Sequence, residues 1–177
     1  KLSPPVLGIF SSGDIQKYIE HRRFGCAEQQ NPKLLRKLAT ALARLHSLRV
    51  PIRKCSGWKV RQGRAMLDDA FRRDPVDAYI AEDPDLVMLA KHDIRHEFAQ
   101  MEQWISELDY PLVLCHHDTL GSNILVTPED EILLIDLEYA SYDSRGNDIG
   151  IFHCQWGVED RDFDHFDMPS DDVMRHF

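Results

Sequence analysis

Residues 112–139 restrict the fold of this chain more than any other segment. A short apolar run, Leu112 to Cys115, leads into the polar loop His-His-Asp-Thr-Leu-Gly-Ser-Asn, and the apolar run Ile-Leu-Val follows. After an acidic turn, a third apolar run extends from Ile132 to Ile135 and is followed by Asp136. Short apolar runs between turn-forming residues indicate strands. The segment therefore predicts the order strand, loop, strand, turn, strand, with polar side chains where the strands end.

Three polar side chains of this segment suit the chemistry of phosphoryl transfer. Asp118 can orient and deprotonate an attacking hydroxyl, while Asn123 and Asp136 offer oxygen ligands that hold Mg²⁺ against phosphates. Ordinary turn chemistry is the alternative, because Asp and Asn both favour turns and the motif Asp-x-x-x-x-Asn is short. The order of the strands favours a catalytic loop, because a kinase needs that order and a second Asp follows after a hairpin.

Several stretches of the sequence together carry a family resemblance. In the second half of the chain they are Cys115-His-His-Asp118-x-x-x-x-Asn123-Ile-Leu, Ile135-Asp-Leu-Glu-Tyr-Ala-Ser-Tyr142, Arg145-Gly-x-Asp148-Ile-Gly150 and Cys154-Gln-Trp156. In the first half they are Pro5-Val-Leu-Gly-Ile-Phe-x-x-Gly13, Ile15-x-x-Tyr18-Ile19-x-x-Arg22 and Leu42-Ala-x-x-His46, followed by Pro51. With these stretches, nearly the whole chain resembles the choline/ethanolamine kinase family.

The resemblance implies the protein-kinase-like fold that this family shares with the aminoglycoside phosphotransferases. The expected fold class is α+β: a carboxy-terminal lobe, mostly helical, built around a catalytic-loop β-hairpin. Residues 1–22 would form the strand and hinge between the lobes, and residues 23–177 the helical catalytic lobe. No Gly-rich phosphate loop and no strand Lys paired with a helix Glu precede the hinge-like segment. We therefore expect that the amino-terminal lobe is largely absent and that the isolated chain is inactive. The helical catalytic lobe is also expected to be truncated at its carboxy-terminal end.

The resemblance also implies ATP and Mg²⁺ as cofactors and a role for each matching residue. Asp118 would be the catalytic base that faces the substrate alcohol. Asn123 and Asp136 would bind the magnesium ion that bridges the ATP phosphates. Glu138 would lie in or beside the coordination shell of that ion.

Further roles concern the nucleotide, the substrate head group and the support of the loop. Lys17 and Ile19, in the hinge-like segment, would offer backbone groups to adenine. Gln155 and Trp156 would lie near the pocket for the amino-alcohol head group. The residues expected to brace the catalytic loop are His116, Arg145 and Asp148.

Three positions depart from the usual pattern of the family. His117 stands where the family usually has Asn, Gln155 stands where it usually has Glu, and no further aromatic residue follows Trp156 closely. Recognition of a quaternary ammonium needs several aromatic rings around the charge.

Cys154-x-Trp156 nevertheless resembles the choline branch. The expected reaction is transfer of the ATP γ-phosphate to choline, giving phosphocholine for phosphatidylcholine biosynthesis. The alternatives are an ethanolamine kinase and a catalytically silent fragment that acts as a binding partner.

Composition restricts the partners and the location of the chain. The net charge of −9 argues against nucleic-acid binding. No apolar run approaches the ~20 residues that a membrane helix needs, and nothing at the start resembles a signal peptide. We expect a soluble cytoplasmic domain whose partner is a small molecule, and the resemblance also allows a homodimer. The apolar surroundings of Cys115 and Cys154 predict buried thiols.

Helical signals occur outside the catalytic loop. Asn31 is a good N-cap with Pro32 at the first helical position, and the apolar spacing that follows predicts a buried helix to about His46. Residues 65–71 suggest a short amphipathic helix. A longer helix is predicted to begin at residues 83–84, and its apolar stripe consists of Ile94, Phe98, Met101, Ile105 and Leu108. The sequence shows no boundary that would divide the chain into two domains.

Two groups of metal-ligand residue types are better explained as solvated surface. His92-x-x-x-His96-Glu97 has imidazoles one helical turn apart, but it lacks the Glu order of a metalloprotease helix and a third ligand. The acidic residues 160–167 lack the Gly and the closing Glu of a calcium-binding loop.

Overall fold

The computed structural model describes residues 1–55, 57–73, 75–82, 92–158 and 168–177. The strands are β1 (Val6–Phe10), β2 (Gly13–Gln16), β3 (Arg22–Arg23), β4 (Val113–Cys115), β5 (Ile124–Val126), β6 (Ile132–Leu134) and β7 (Ser141–Asp143). The helices are α1 (Cys26–Gln29), α2 (Pro32–His46), α3 (Trp58–Arg73), α4 (Val76–Glu82), α5 (Ile94–Glu107), α6 (Gly146–Cys154) and α7 (Asp171–His176). Tertiary contacts divide the chain into two units, residues 1–54 with 112–177 and residues 55–111. The expectation of a chain without an internal boundary was therefore wrong, because no composition shift in the sequence marks this division.

Helix α2 forms as its local sequence predicts. The Asn31 side chain caps the helix by accepting hydrogen bonds from the N–H groups of Lys33 at 3.0 Å and Leu34 at 3.4 Å. Pro32 occupies the first turn, where its missing N–H removes no helical hydrogen bond. The predicted start and the predicted end at His46 are confirmed. Its buried residues are Leu34, Leu35, Leu38, Ala41, Leu42 and Leu45.

The core of the first unit forms where α2 packs against β4 and β6. Burial of one leucine side chain stabilises a fold by about 1.5–3 kcal/mol, so this leucine-rich face is a main source of stability. The strand and loop residues that complete the core are Phe24, Leu114, Ile124, Val126, Ile132, Leu134 and Tyr142, with Phe152 and Trp156 from α6 and the turn after it.

The strands form three small antiparallel sheets. The hairpin β5–β6 pairs Ile124 with Leu134, and β3 pairs with β5, which confirms the predicted strand, turn and strand. Strand β4 forms where the apolar run before the loop predicted a strand, and β1 lies within residues 1–22, where a strand was expected. The sequence did not predict their partners: β1 pairs with β2, and β4 pairs with β7. These strands have three to five residues, and β7 reads Ser-Tyr-Asp. A segment as short and polar as β7 carries no clear alternating signal, so its pairing with the distant β4 decides its structure.

The second unit is helical and less deeply buried. Helix α3 is longer than the predicted helix over residues 65–71. Helix α5 begins after the N-cap Asp93, while the expected start at residues 83–84 lies outside the described residues. Its apolar stripe is only half-buried, and Leu108 is 63% exposed. His92 and His96 are exposed, and His92 pairs with Glu97, in agreement with a solvated surface.

Two further expectations concern membrane spans and thiols. None of the helices in the described ranges is both long and apolar enough to cross a bilayer.

Cys115 is buried as expected, but Cys154 is exposed, which corrects the prediction of a buried thiol there. Cys154 is the last residue of α6, whose buried side chains are those of Asp148 and Phe152, so local apolar neighbours in sequence did not determine its burial. The acidic residues 160–167 lie outside the described part of the chain.

Candidate active site

The loop between β4 and β5 joins two of the expected site residues directly. Asn123 Nδ2 donates to Asp118 Oδ2 at 2.7 Å and to the Asp118 carbonyl oxygen at 3.0 Å. Asn123 is buried, whereas Asp118 is only half-buried. Because its amide nitrogen faces Asp118, the remaining Asn123 ligand atom is Oδ1, an oxygen of the kind that Mg²⁺ prefers.

The loop is tied to the strand that precedes Asp136. The Ile135 N–H donates to the Asn123 carbonyl at 3.0 Å, and His116 Nε2 donates to the Ile135 carbonyl at 2.8 Å. Asp136 follows with a left-handed φ of 60°, a conformation that Asp tolerates better than most residues, and it is exposed. These bonds hold Asp118, Asn123 and Asp136 on connected stretches of backbone, as the strand order predicted.

Asp148 lies beneath the loop and accepts hydrogen bonds from its backbone. Its Oδ2 accepts from the His116 N–H at 2.9 Å and from His46 Nε2 at 2.8 Å, and its Oδ1 accepts from the His117 N–H at 2.8 Å. His117 has a φ of 67°, which is unusual for a residue other than glycine. Thr119 Oγ1 donates to the Asp148 carbonyl at 2.7 Å. This geometry agrees with a loop-bracing role for His116 and Asp148, which remains a prediction.

The hydrogen bonds of Asp148 determine its charge. Burial alone would raise the pKa of this carboxyl group, but hydrogen bonds from His46 and from the amides of His116 and His117 outweigh that effect. The net result is a pKa below its usual value, so Asp148 is ionised at neutral pH. Arg145, the third expected loop-bracing residue, is exposed at the N-cap of α6, and the described contacts do not link its side chain to the loop.

A buried cluster of donor atoms lies near the same carboxylate. Ligand atoms of His46, Cys115 and Asp148 lie within 4.8 Å of one another. Burial is the main reason why the pKa of the Cys115 thiol is raised, and this thiol donates to the Ser144 carbonyl at 3.2 Å. The imidazole and the carboxylate are hydrogen-bonded to each other. Because these groups already satisfy each other and the backbone, we interpret the cluster as a brace.

The oxygen ligands expected for magnesium are separate from this cluster, and two of them lie on the surface. Asp136 and Glu138 are both exposed. The pKa of Tyr139 is raised by a hydrogen bond with Glu138 and by the charges of Glu138, Asp118 and Asp136. The negative charges of all three carboxylates therefore act on the Tyr139 hydroxyl. Carboxylate and carboxamide oxygens suit Mg²⁺, so the residues present fit that ion.

The two hinge residues have part of their backbone already paired. The Lys17 N–H donates to the Pro5 carbonyl at 2.9 Å, and the Ile19 carbonyl accepts from His21 Nδ1 at 2.7 Å. Ile19 lines a cavity of about 410 Å³, together with Lys37 of α2. The described hydrogen bonds do not connect either hinge residue with the catalytic loop, so their contact with adenine remains a prediction.

Gln155 and Trp156 have different surroundings although they are neighbours. Gln155 lines a cavity of about 600 Å³ that is also lined by Leu120, Gly121 and Ser122 of the loop between β4 and β5. Trp156 is only 4% exposed and packs edge-on against Phe152, with ring centroids 5.9 Å apart. The structure therefore brings Gln155 beside the loop, while Trp156 is a core residue.

Two residues near the site had no role in the sequence interpretation. Tyr139, 37% exposed, follows Glu138 directly, and its place after the motif Asp136-x-Glu138 could have suggested an aromatic side chain at the site. Gln29 lines the same cavity as Gln155 and is buried. No local signal in the sequence indicated that Gln29 is buried, because a glutamine in a short polar stretch usually faces solvent.

Comparison with known proteins finds similarity over nearly the whole chain. A family model described as choline/ethanolamine kinase matches residues 1–176. The choline/ethanolamine kinase of Homo sapiens is 28% identical over 172 residues, which is 95% of this chain and 42% of that protein. A probable ethanolamine kinase of Arabidopsis thaliana is 27% identical over 177 residues, which is 97% of this chain and 45% of that protein. The chain thus spans less than half the length of these relatives.

Solved structures show the same kind of fold. An ethanolamine kinase of Plasmodium vivax superposes with a TM-score of 0.74 at 22% identity, covering 99% of this chain and 52% of that one. An aminoglycoside-3'-phosphotransferase of type VIII superposes with a TM-score of 0.67 at 18% identity, covering 99% of this chain and 65% of that one. These likenesses show a kinase-like fold of mixed helix and sheet. Since the family model also matches nearly every residue of the sequence, the chain belongs to the choline/ethanolamine kinase family.

Proposed function

We propose that the protein containing this sequence is a choline kinase, which transfers the γ-phosphoryl group of ATP to the hydroxyl of choline and releases phosphocholine. The observation that carries this proposal is the hydrogen bond between Asn123 and Asp118, on a loop that His116 ties to the strand before Asp136. These side chains supply the base and the oxygen ligands that phosphoryl transfer to an alcohol requires. The product would enter phosphatidylcholine biosynthesis.

In the proposed reaction, Asp118 orients the choline hydroxyl and accepts its proton late, as the oxygen bonds to phosphorus. A loose transition state needs little base strength, so orientation is the larger part of this role. Asn123 fixes the Asp118 carboxylate through its amide nitrogen. Asn123 Oδ1, Asp136 and Glu138 would hold Mg²⁺, which when bound neutralises charge on the phosphates. Lys17 and Ile19 would contact adenine through their remaining backbone groups.

The identity of the alcohol rests on finer features. Cys154-x-Trp156 supports choline, and Tyr139 adds an aromatic ring beside the acidic residues. Ethanolamine is the second candidate, because the Gln155 amide on the cavity wall can accept hydrogen bonds from a primary ammonium, which a quaternary ammonium cannot donate. The burial of Trp156 also favours ethanolamine, since a core tryptophan offers less ring surface to a quaternary charge.

We also propose that this sequence corresponds to the carboxy-terminal lobe of a cytoplasmic two-lobe kinase that can form a homodimer. It contains no Gly-rich phosphate loop and no recognisable Lys–Glu pair for the ATP phosphates. The 177-residue chain alone should therefore show little or no turnover. The competing interpretation is a catalytically silent binding partner, but such a protein has no chemical need for Asp118, Asn123 and Asp136 together.

The test is ATP-dependent phosphorylation of choline and of ethanolamine by the product of the longest reading frame that contains this sequence. A higher kcat/KM for choline would support the proposal, and a higher kcat/KM for ethanolamine would select the second candidate. No phosphorylation of either alcohol would contradict both. The 177-residue chain should be measured in parallel, and choline phosphorylation by this chain alone would contradict the proposed need for a further lobe.

A further inference from the structure

Gln29 is a buried polar residue that the proposed reaction does not use directly. It is the last residue of α1, and only 3% of its surface is exposed. Burial of an amide is unfavourable unless its donor and its acceptor are both paired. Both are paired here, because Nε2 donates to the Gln155 carbonyl at 3.3 Å and Oε1 accepts from the Gly157 N–H at 2.9 Å.

These two bonds hold the turn that follows α6. The Gln155 carbonyl also accepts from the Val158 N–H at 3.3 Å, and Gly157 has a left-handed φ of 75°. A carboxamide suits this position because it supplies one acceptor and one donor from the same planar group. A carboxylate would lack the donor, and an apolar side chain would leave the Gly157 N–H without this acceptor.

The turn after α6 and the loop between β4 and β5 line the same cavity. Gln29 and Gln155 line the cavity of about 600 Å³, and Leu120 to Ser122, the segment between Asp118 and Asn123, forms another part of its wall. Any movement of the turn therefore moves the Gln155 side chain relative to the loop that carries the proposed base. We propose that Gln29 is a positioning residue for the acceptor alcohol, because it fixes the backbone of residues 155–157 and thereby the place of Gln155.

This proposal rests on the proposed function, so its test separates the two. The substitution Gln29→Met keeps the length of the side chain but removes both hydrogen bonds. In the product of the longest reading frame, it should raise the KM for the alcohol about tenfold, because small displacements of a binding group are costly. The KM for ATP should stay within about twofold, since no nucleotide contact changes. The matched control is Gln30→Met, at the exposed neighbouring position, which should leave both constants unchanged.

A purely structural role would lower stability without this separation of the two KM values. Equal rises in both KM values, or an unchanged KM for the alcohol, would overturn the proposal. If Gln29→Met does not fold, Gln29→Asn replaces it, since the shorter amide cannot reach both partners and should give the same separation.

A second readout does not depend on turnover. Hydrogen exchange of the peptide containing Gly157 should be faster in Gln29→Met than in Gln30→Met. If the unsubstituted enzyme phosphorylated neither choline nor ethanolamine, the proposed function would fail, and this exchange measurement would then decide whether Gln29 holds the turn. Equal exchange rates of this peptide in Gln29→Met and Gln30→Met would overturn the claim that Gln29 holds the turn.

Discussion

Asp148 is a buried carboxylate that binds the backbone of the loop between β4 and β5. None of its surface is exposed, and its two oxygens accept from the backbone of His116 and His117 and from the His46 ring. His117, whose N–H donates to this carboxylate, has a left-handed backbone with a φ of 67°. The carboxylate thus compensates for a backbone conformation that would otherwise be unfavourable.

We predict that Asp148→Asn lowers the free energy of unfolding by about 2–4 kcal/mol, because the amide loses the charge and places a donor against backbone N–H groups. The pKa of Asp148 is depressed in the folded protein, so its contribution is fully present above the ordinary aspartate pKa of about 3.9 and is lost as the pH falls below that value. Chemical denaturation at pH 7 and at pH 3 would measure this. If the free energy of unfolding of the variant and of the unsubstituted protein differed by the same amount at pH 7 and at pH 3, the proposed contribution of the Asp148 charge would be wrong.

Gly121 is required by a close backbone contact. A Cβ atom at this position would lie 2.2 Å from the Phe24 carbonyl oxygen, and the Phe24 N–H donates to the Gly121 carbonyl at 3.2 Å. We predict that Gly121→Ala displaces the loop, lowers the free energy of unfolding by about 2 kcal/mol and reduces turnover of the full enzyme. Gly150→Ala is the control, because its Cβ would meet no atom within 4 Å. Thermal unfolding of both variants tests this, and equal melting temperatures would contradict it.

Among the elements, α2 supports the site from below through its packing on β4 and β6. Its N-cap offers a local test. We predict that Asn31→Ala lowers the free energy of unfolding by about 1 kcal/mol, since two N–H groups of the first turn lose their acceptor. Gln30→Ala at the exposed neighbouring position should have little effect. Urea unfolding of both variants measures this difference. An equal loss of unfolding free energy in Asn31→Ala and Gln30→Ala would show that loss of the cap does not cause the destabilisation.

Elements with strong local signals could be predicted from the sequence. The cap at Asn31 with Pro32, and the apolar runs around Asp118 and before Asp136, identified α2 and the strands of the loop correctly. The strands that depend on distant partners could not be predicted, because β7 is short and polar and pairs with β4. The local sequence therefore determined which elements carry the site more clearly than how the remaining strands pair.

Burial at the site was harder to predict than the identity of its residues. Trp156 was expected beside the substrate pocket, but its ring packs against Phe152 in the core, and the neighbouring Cys154 is exposed. Gln29 reaches Gln155 and Gly157 from the other end of the chain, so no pattern in one segment could reveal it. Contacts of this kind depend on tertiary packing, which local periodicity does not encode.

For the whole molecule, the family is shown and the reaction is proposed. The chain covers 42% of the length of its human relative, so catalysis should be measured in the product of the longest reading frame that contains this sequence. A kinase of this kind depends on one carboxylate that contacts the alcohol and on separate groups that bind the nucleotide. Removal of the carboxylate that contacts the alcohol should therefore leave nucleotide binding intact.

The most direct test is the turnover of Asp118→Asn in the product of the longest reading frame, measured with choline and ATP alongside ATP affinity. We predict a fall in kcat of about 10²–10⁴-fold with ATP affinity within about twofold of the unsubstituted enzyme, because Asp118 faces the alcohol and not the nucleotide. The control Asp109→Asn, at an exposed position outside the loop, should retain full turnover. Turnover of Asp118→Asn equal to that of the unsubstituted enzyme would contradict the proposed catalytic role of Asp118.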